Sequence, residues 1–338
     1  MKASEIRNQF FDFFKEKGHA YVRSAPLVSK DDPTLLFINA GMNQFKNIFL
    51  GKEKPKHLRV VNSQKCIRVS GKHNDLDEVG YDTFHHTFFE MLGNWSFGDY
   101  YKAEAIQWAW ELLTDVWGLE KDRLWATVYD DDDEADKLWK KVTDIAPDRV
   151  LRFGKKDNFW EMGDSGPCGP CSEIHYYVGK DPSKQSEKGI NVSDQYWELW
   201  NLVFIQNNRL SDGTLNELPK KHVDTGAGLE RIAAVLQGKT SNYDTDLFQS
   251  IIGVQEKNLG VKYEDDLVGH RAIADHIRML SFSIADGVLP SNEGRGYVAR
   301  RILRRAARFG HSMGKEDPFL SNLVETVVEL MGDVYPEL

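Results

Sequence analysis

Gln64-Lys65-Cys66-Ile67-Arg68 runs through Val69 and Ser70 into the polar stretch Gly71-Lys72-His73-Asn74-Asp75, and His85-His86-Thr87-Phe88-Phe89-Glu90 follows ten residues later. The outer stretches have strand composition and the middle one has turn composition, which predicts a hairpin. One strand ends in an arginine, the tip is cationic, and the returning strand is aromatic. Such an arrangement suits a nucleoside triphosphate. A guanidinium forks onto the α-phosphate, an aromatic face takes the base, and Lys or His meets the distal phosphates. Taken alone, the pattern equally describes an exposed hairpin with solvated charges.

Two further stretches carry chemistry. In Asp224-Thr225-Gly226-Ala227-Gly228-Leu229-Glu230-Arg231-Ile232, a small, glycine-rich turn opens a helix with an apolar face of Ile232, Val235 and Leu236. The glycines let a ligand approach the backbone, and Arg231 falls in the first turns of the helix. A plain turn with an N-cap accounts for it as well. In Tyr196-Trp197-Glu198-Leu199-Trp200-Asn201-Leu202-Val203-Phe204-Ile205, Asn201 is a polar residue inside an apolar strand. A buried amide left without a partner costs about 1–3 kcal/mol. Alternation puts Asn201 and Val203 on one face, a polar group beside a small apolar wall. For this strand by itself a structural hydrogen bond is the simpler account.

The remaining pattern sets the fold class. Ser4 is placed to cap a helix with Ile6, Phe10, Phe13 and Phe14 on one face and Gly18 as its stop. A second helix carries Ile106, Trp110, Leu113 and Trp117 and ends at Gly118. Strands are expected at 21–23, 34–38, 85–89, 124–129 and 197–206. Their irregular separations argue for an antiparallel sheet flanked by helices, an α+β fold, and against a doubly wound parallel one. The acidic run Asp130 to Asp136 reads as a solvated helix start. From Leu267 onward the patterns are helical, and a domain boundary is expected near residue 250, dividing 1–250 from a helical 251–338. The chain reads as the front part of a longer protein.

The balance of 41% hydrophobic and 28% charged residues over 338 positions is that of a globular chain. No apolar run reaches the roughly 18 residues of a membrane helix, and the N-terminus is mixed in charge, so no membrane association is expected. Cys66, Cys168 and Cys171 are too few for a disulfide framework, and a reducing, cytoplasmic setting fits. Cys168-Gly169-Pro170-Cys171 has CxxC spacing, but no second CxxC or HxxxH accompanies it, and no metal site is expected. With a net charge of −9, a nucleic-acid partner needs a local basic surface.

Taken together, the arginine strand, the cationic loop, the aromatic return and the Gly-x-Gly-x-Glu-Arg helix resemble motifs 2 and 3 of the class II aminoacyl-tRNA synthetases. Lys72 to Leu76, His85 to Leu92, Asp157 to Trp160, Gly166 to Cys171, Trp200 to Phe204, Ser241 to Asp246, Pro290 to Glu293 and Arg295 to Tyr297 resemble the alanyl-tRNA synthetases, nearly end to end. The resemblance implies an antiparallel class II sheet followed by part of a helical tRNA-recognition domain. It also implies a two-step reaction, from ATP and L-alanine to alanyl-adenylate and then to alanyl-tRNA. Arg68 is then expected to hold the α-phosphate and stabilise its developing charge. His86 is expected on the triphosphate or adenine side, with Phe89 and Arg231 sandwiching the adenine. Leu199 and Trp200 are expected along the ATP site, and Gly228 is expected to admit the nucleotide. Trp160 is expected to close the ATP and alanine site. Asn201, Val203 and Asp224 are expected around alanine, with Asp224 paired to its ammonium. Mg²⁺ is expected with ATP, without assigned protein ligands. One departure is that Val69 and Ser70 follow Arg68 where the wider class often has a carboxylate.

Lys72 and Asn292 are expected at the tRNA acceptor stem. Between Val298 and Phe309, at 100° per residue, Arg300, Arg301, Arg304, Arg305 and Arg308 fill one arc of a helix, and an apolar arc lies opposite. Five arginines without an acid suit phosphates better than a merely solvated face. The family's full-length members carry separate editing and C-terminal domains, and neither is expected within these residues. No protein partner is evident. A ligase that passes a small amino acid to a carrier protein is the alternative, and charging assays separate the two.

Overall fold

The computed structural model of the chain describes residues 1–29, 35–70 and 73–338. The strands are β1 Ala20–Tyr21, β2 Arg59–Ile67, β3 Val69–Ser70, β4 His73–Asn74, β5 Phe88–Ser96, β6 Leu124–Tyr129, β7 Val150–Phe153, β8 Phe159–Glu161, β9 Gly166–Tyr177, β10 Tyr196–Arg209 and β11 Leu215–Gly228. The helices are α1 Ala3–Glu16, α2 Lys46–Phe49, α3 Lys102–Glu111, α4 Asp133–Val142, α5 Lys155–Asn158, α6 Leu229–Leu236, α7 Asp246–Leu259, α8 Leu267–Ala285, α9 Gly294–Ser312 and α10 Val324–Met331. Among the described residues nine strands form one sheet in the order β1-β2-β5-β11-β10-β9-β6-β7, with β8 paired to β9. The centre of the sheet is antiparallel as expected, but the edge pairs β1–β2 and β6–β7 are parallel. The long connections between those partners, one of which contains α4, permit parallel pairing. The fold is α+β.

Helices cover one face of the sheet. Ile6, Phe10, Phe13 and Phe14 of α1 are buried there with Trp200, Leu202 and Phe204 of β10. Ser4 lies inside α1 and does not cap it. The Glu5 carboxylate instead accepts from the Lys2 amide at 2.6 Å, and Gly18 ends the helix at φ 85°. Below this layer the buried Glu90 carboxylate accepts from Arg7 Nη2 and Nε at 2.7 and 2.8 Å, from the Ser63 hydroxyl at 3.0 Å and from the Tyr335 hydroxyl at 2.8 Å.

Several local expectations change. Thr34 lies outside the described residues, and residues 35–38 form no strand. Ile38 bonds singly to Leu27 and Ile67 while Phe37 and Ile38 are buried. The aromatic return strand starts at Phe88, three residues later than expected, because His85 is turned out of the ladder by its bonds to Asp82. α3 continues through a π turn, Leu112–Val116, before Gly118 at φ 68°. Residue 250 falls inside α7, and the core is continuous across it. Phe88 of β5 stacks on Phe282 of α8 with centroids 4.4 Å apart. No helix among the described residues is long and apolar enough to cross a membrane.

Candidate active site

The sheet face away from α1 opens into a cleft of about 410 Å³, within the roughly 300–1,000 Å³ typical of ligand pockets. Strand register decides what it contains. Asn201 of β10 stands between Glu173 of β9 and Gly226 of β11, and Val203 stands between Cys171 and Asp224. All six residues line the cleft. Alternation sends Trp200 to the opposite face, where it is fully buried with its ring 5.6 Å from that of Phe10. The expectation of Trp200 at a nucleotide is therefore corrected. It is a core residue, and its neighbour Leu199 lies on the cleft wall. A register shift between Glu198 and Trp200 brings Glu198 to that wall as well.

One end of the cleft is small and acidic. Asp224 is buried, faces Trp95 across the β5–β11 ladder, and accepts from its indole nitrogen at 2.6 Å. Burial pushes its carboxyl up to about 7, against the opposing hydrogen bond from Trp95. Ala40, Met91, Trp160, Cys171 and Val203 wall this end. A methyl group on Gly226 would come 2.7 Å from Met91 Sδ, so glycine there leaves room for the thioether. Asn201 donates to Glu173 at 3.3 Å, and its buried Oδ1 has no partner among the described residues. That end therefore offers a carboxylate and a free acceptor oxygen, a set that suits an ammonium group over a small side chain.

The other end carries arginines and aromatic rings. Phe89 lies six positions before Trp95 on β5, about 20 Å at strand rise. Arg68 donates to the Asn39 carbonyl at 3.2 Å and lies 4.9 Å from the Phe89 ring. Arg231, in the first turn of α6, donates to the Glu198 carbonyl at 2.9 Å and stacks on Phe84 at 5.0 Å. Phe89 and Arg231 both line the cleft, Phe89 beside Arg68 and Arg231 beside Phe84. At Gly228 an added methyl would meet only the Arg231 side chain at 3.7 Å or beyond, which leaves the backbone approachable.

His86 also lines the cleft. Its Nε2 accepts from the Asn242 amide at 2.9 Å, its Nδ1 lies 3.4 Å from Asp275, and its ring stacks on Phe248. Its Nε2 is thus engaged by Asn242 while its Nδ1 faces Asp275 at a longer distance, and half-buried His85, bonded to Asp82, lines the cleft alongside it. Sequence reasoning also missed Glu173. Burial and the nearby Glu198 push its carboxyl up to about 7 despite the His175 hydrogen bond at 3.0 Å. The alternation of Cys171, Glu173 and His175 along one strand is the signal that points to it.

The basic residues divide. Arg300, Arg301, Arg304 and Arg308 of α9 are exposed, and exposed Asn292 accepts from Arg300 at 2.7 Å. Arg305 is half-buried and donates to the Leu76 and Val79 carbonyls, so it ties α9 to the turn after β4 and is not a free member of the arc. Lys72 lies outside the described residues.

The chain has relatives among known proteins. Residues 5–338 match the family model of the class II (A) tRNA synthetases, and the chain belongs to that family. Its relatives include proteins named alanine–tRNA ligase from Chlorobium chlorochromatii (61% identical), Chlorobium phaeovibrioides (60%) and Cytophaga hutchinsonii (56%). Each similarity covers 100% of this chain but only 39% of the two Chlorobium proteins and 40% of the Cytophaga one.

Proposed function

We propose that this protein activates L-alanine with ATP and passes the alanyl group to the 3′ end of an alanine-specific tRNA. The observation that carries the reading is one cleft with a buried carboxylate and a small wall at one end, and Arg68, Phe89 and Arg231 at the other. A carboxylate oxygen of alanine attacks the α-phosphorus, the bond to the β-phosphate oxygen breaks, and pyrophosphate leaves. The terminal ribose hydroxyl of the tRNA then attacks the acyl carbon and AMP leaves. Asp224 pairs with the ammonium, Val203 bounds the methyl, and Arg68 takes charge developing on the α-phosphate.

The carboxylates of Glu173 and Glu198 fit Mg²⁺, a hard cation usually held by one or two carboxylates together with substrate phosphates. Bound there, the ion would neutralise phosphate charge and favour the ionised form of Glu173. Residues 1–250 serve adenylate formation in this reading, and the exposed arginines of α9 within 251–338 meet acceptor-stem phosphates. Pyrophosphate exchange across several small amino acids tests it. Exchange that is strongest with alanine is expected, and its absence with alanine overturns the reading.

A further inference from the structure

Asp275 and Arg278 of α8 are both wholly buried and lie one turn apart on the same face. Asp275 accepts from the Thr87 amide at 3.0 Å and from the Thr87 hydroxyl, and it faces His276 at 2.9 Å and His86 at 3.4 Å. Burial works to raise its carboxyl, but the bonds from the two histidines outweigh it and hold the group well below the usual carboxylate range. Arg278 donates to Glu230 at 2.6 Å and spends the rest of its guanidinium between the Phe88 and Phe248 rings, 5.2 and 4.5 Å away. Both Glu230 oxygens in turn accept from the Glu90 amide at 3.2 Å.

The contacts on β5 and α6 adjoin cleft residues, and Glu230 lines the cleft itself. Thr87 and Glu90 bracket Phe88-Phe89 on β5, and Glu230 directly precedes Arg231 on α6. We propose that Asp275 and Arg278 are positioning residues: from α8 they set the spacing of Phe89 and Arg231, and so the width of the nucleotide end of the cleft, without touching the nucleotide. Buried ion pairs add little net stability once desolvation is counted, but their fixed geometry can specify an arrangement. α8 packs directly on α9, so the helix that places the nucleotide walls also supports the exposed arginines.

This inference rests on the cleft being a nucleotide site, and its test separates the two claims. The variants are Arg278→Met, Arg278→Lys and Thr87→Val, read by calorimetric MgATP affinity and by the KM values for ATP and alanine in pyrophosphate exchange. Arg278→Met is expected to weaken ATP at least tenfold with the alanine KM within twofold of wild type. Arg278→Lys is expected to recover part of the loss, and Thr87→Val to shift ATP a few-fold in the same direction. If Arg278→Met does not fold, the two milder variants decide. Variants that melt lower with unchanged ATP affinity, or that raise both KM values together, overturn the positioning role. Wild-type protein that binds MgATP but exchanges with no small amino acid overturns the alanine reading alone, and calorimetry still decides the role of α8.

Discussion

Trp95 donates its indole N–H to Asp224 from directly across the β5–β11 ladder, at 2.6 Å. The bond is short, yet it does not offset burial, and the carboxyl stays raised from 3.8 to about 7. The folded state therefore holds a proton that the unfolded chain releases, and ionising Asp224 destabilises the fold progressively as pH rises from about 4 to 7. A shift of this size corresponds to a cost on the order of 4 kcal/mol at pH 8. Asp224→Asn keeps an acceptor for Trp95, so it is expected to be more stable than wild type at pH 8 and about equal at pH 4. Urea unfolding midpoints at the two pH values check this, and a variant less stable at pH 8 contradicts it.

The same variant is expected to lose alanine. Removing one partner of a buried charge pair costs about 2–5 kcal/mol, a factor of roughly 30 to several thousand. The alanine KM in pyrophosphate exchange should rise by such a factor while the ATP KM moves less than about threefold. Equal losses for both substrates would take Asp224 out of the amino-acid end.

Arg68→Ala is expected to abolish alanine-dependent exchange while leaving the circular dichroism spectrum unchanged. Its backbone N–H bonds to the Thr87 carbonyl, and that bond survives truncation of the side chain. Loss of one such electrostatic contact costs about 2.7–4 kcal/mol of transition-state stabilisation, a hundredfold or more. Near wild-type exchange would refute the role.

At Gly226 an added methyl would press on Met91 Sδ at 2.7 Å and push the thioether toward the small end of the cleft. Gly226→Ala is expected to lower kcat/KM for alanine by about tenfold or more and for glycine by less, since one methyl is worth about 1–3 kcal/mol of discrimination. Parallel kinetics with the two amino acids measure it, and equal losses would mean that this wall does not read side-chain size.

Arg304→Glu combined with Arg308→Glu is expected to reduce tRNA charging, with a deficit that narrows at higher salt, while sparing pyrophosphate exchange, because both residues are exposed on α9. Arg305→Glu is the contrasting control. It breaks two bonds to the Leu76 and Val79 carbonyls and is expected to lower the melting temperature.

Most of the expected strands are legible in this sequence, whereas the partner that each face meets is not. Leu124 to Tyr129 is a strand with the expected bounds, and Asn201 and Val203 do share a face, because both follow from the two-residue period of a strand. A motif resemblance carries neighbours along regardless of face, which places Trp200 with Leu199 although the two point apart. The partners that hold His86, Asp275 and Asn242, are both more than 150 positions away and come from packing alone. Arg305 belongs to the basic arc by angle alone, and only packing against residues 76–79 sets it apart. Glu173 lies within reach of the alternation rule, but the CxxC spacing of Cys168 and Cys171 is the louder signal in that stretch and leads away from it.

β10 has two readers. Leu199, Asn201 and Val203 address whatever enters the cleft, whereas Trp200, Leu202 and Phe204 address α1 and the helical layer. Substrate choice and folding are thus spelled in alternate letters of the same word. Positions 199, 201 and 203 can drift toward another amino acid with little disturbance to the core. A single inserted residue between Trp197 and Leu202 would exchange the two alphabets, turning the tryptophan into the pocket and the asparagine into the hydrocarbon.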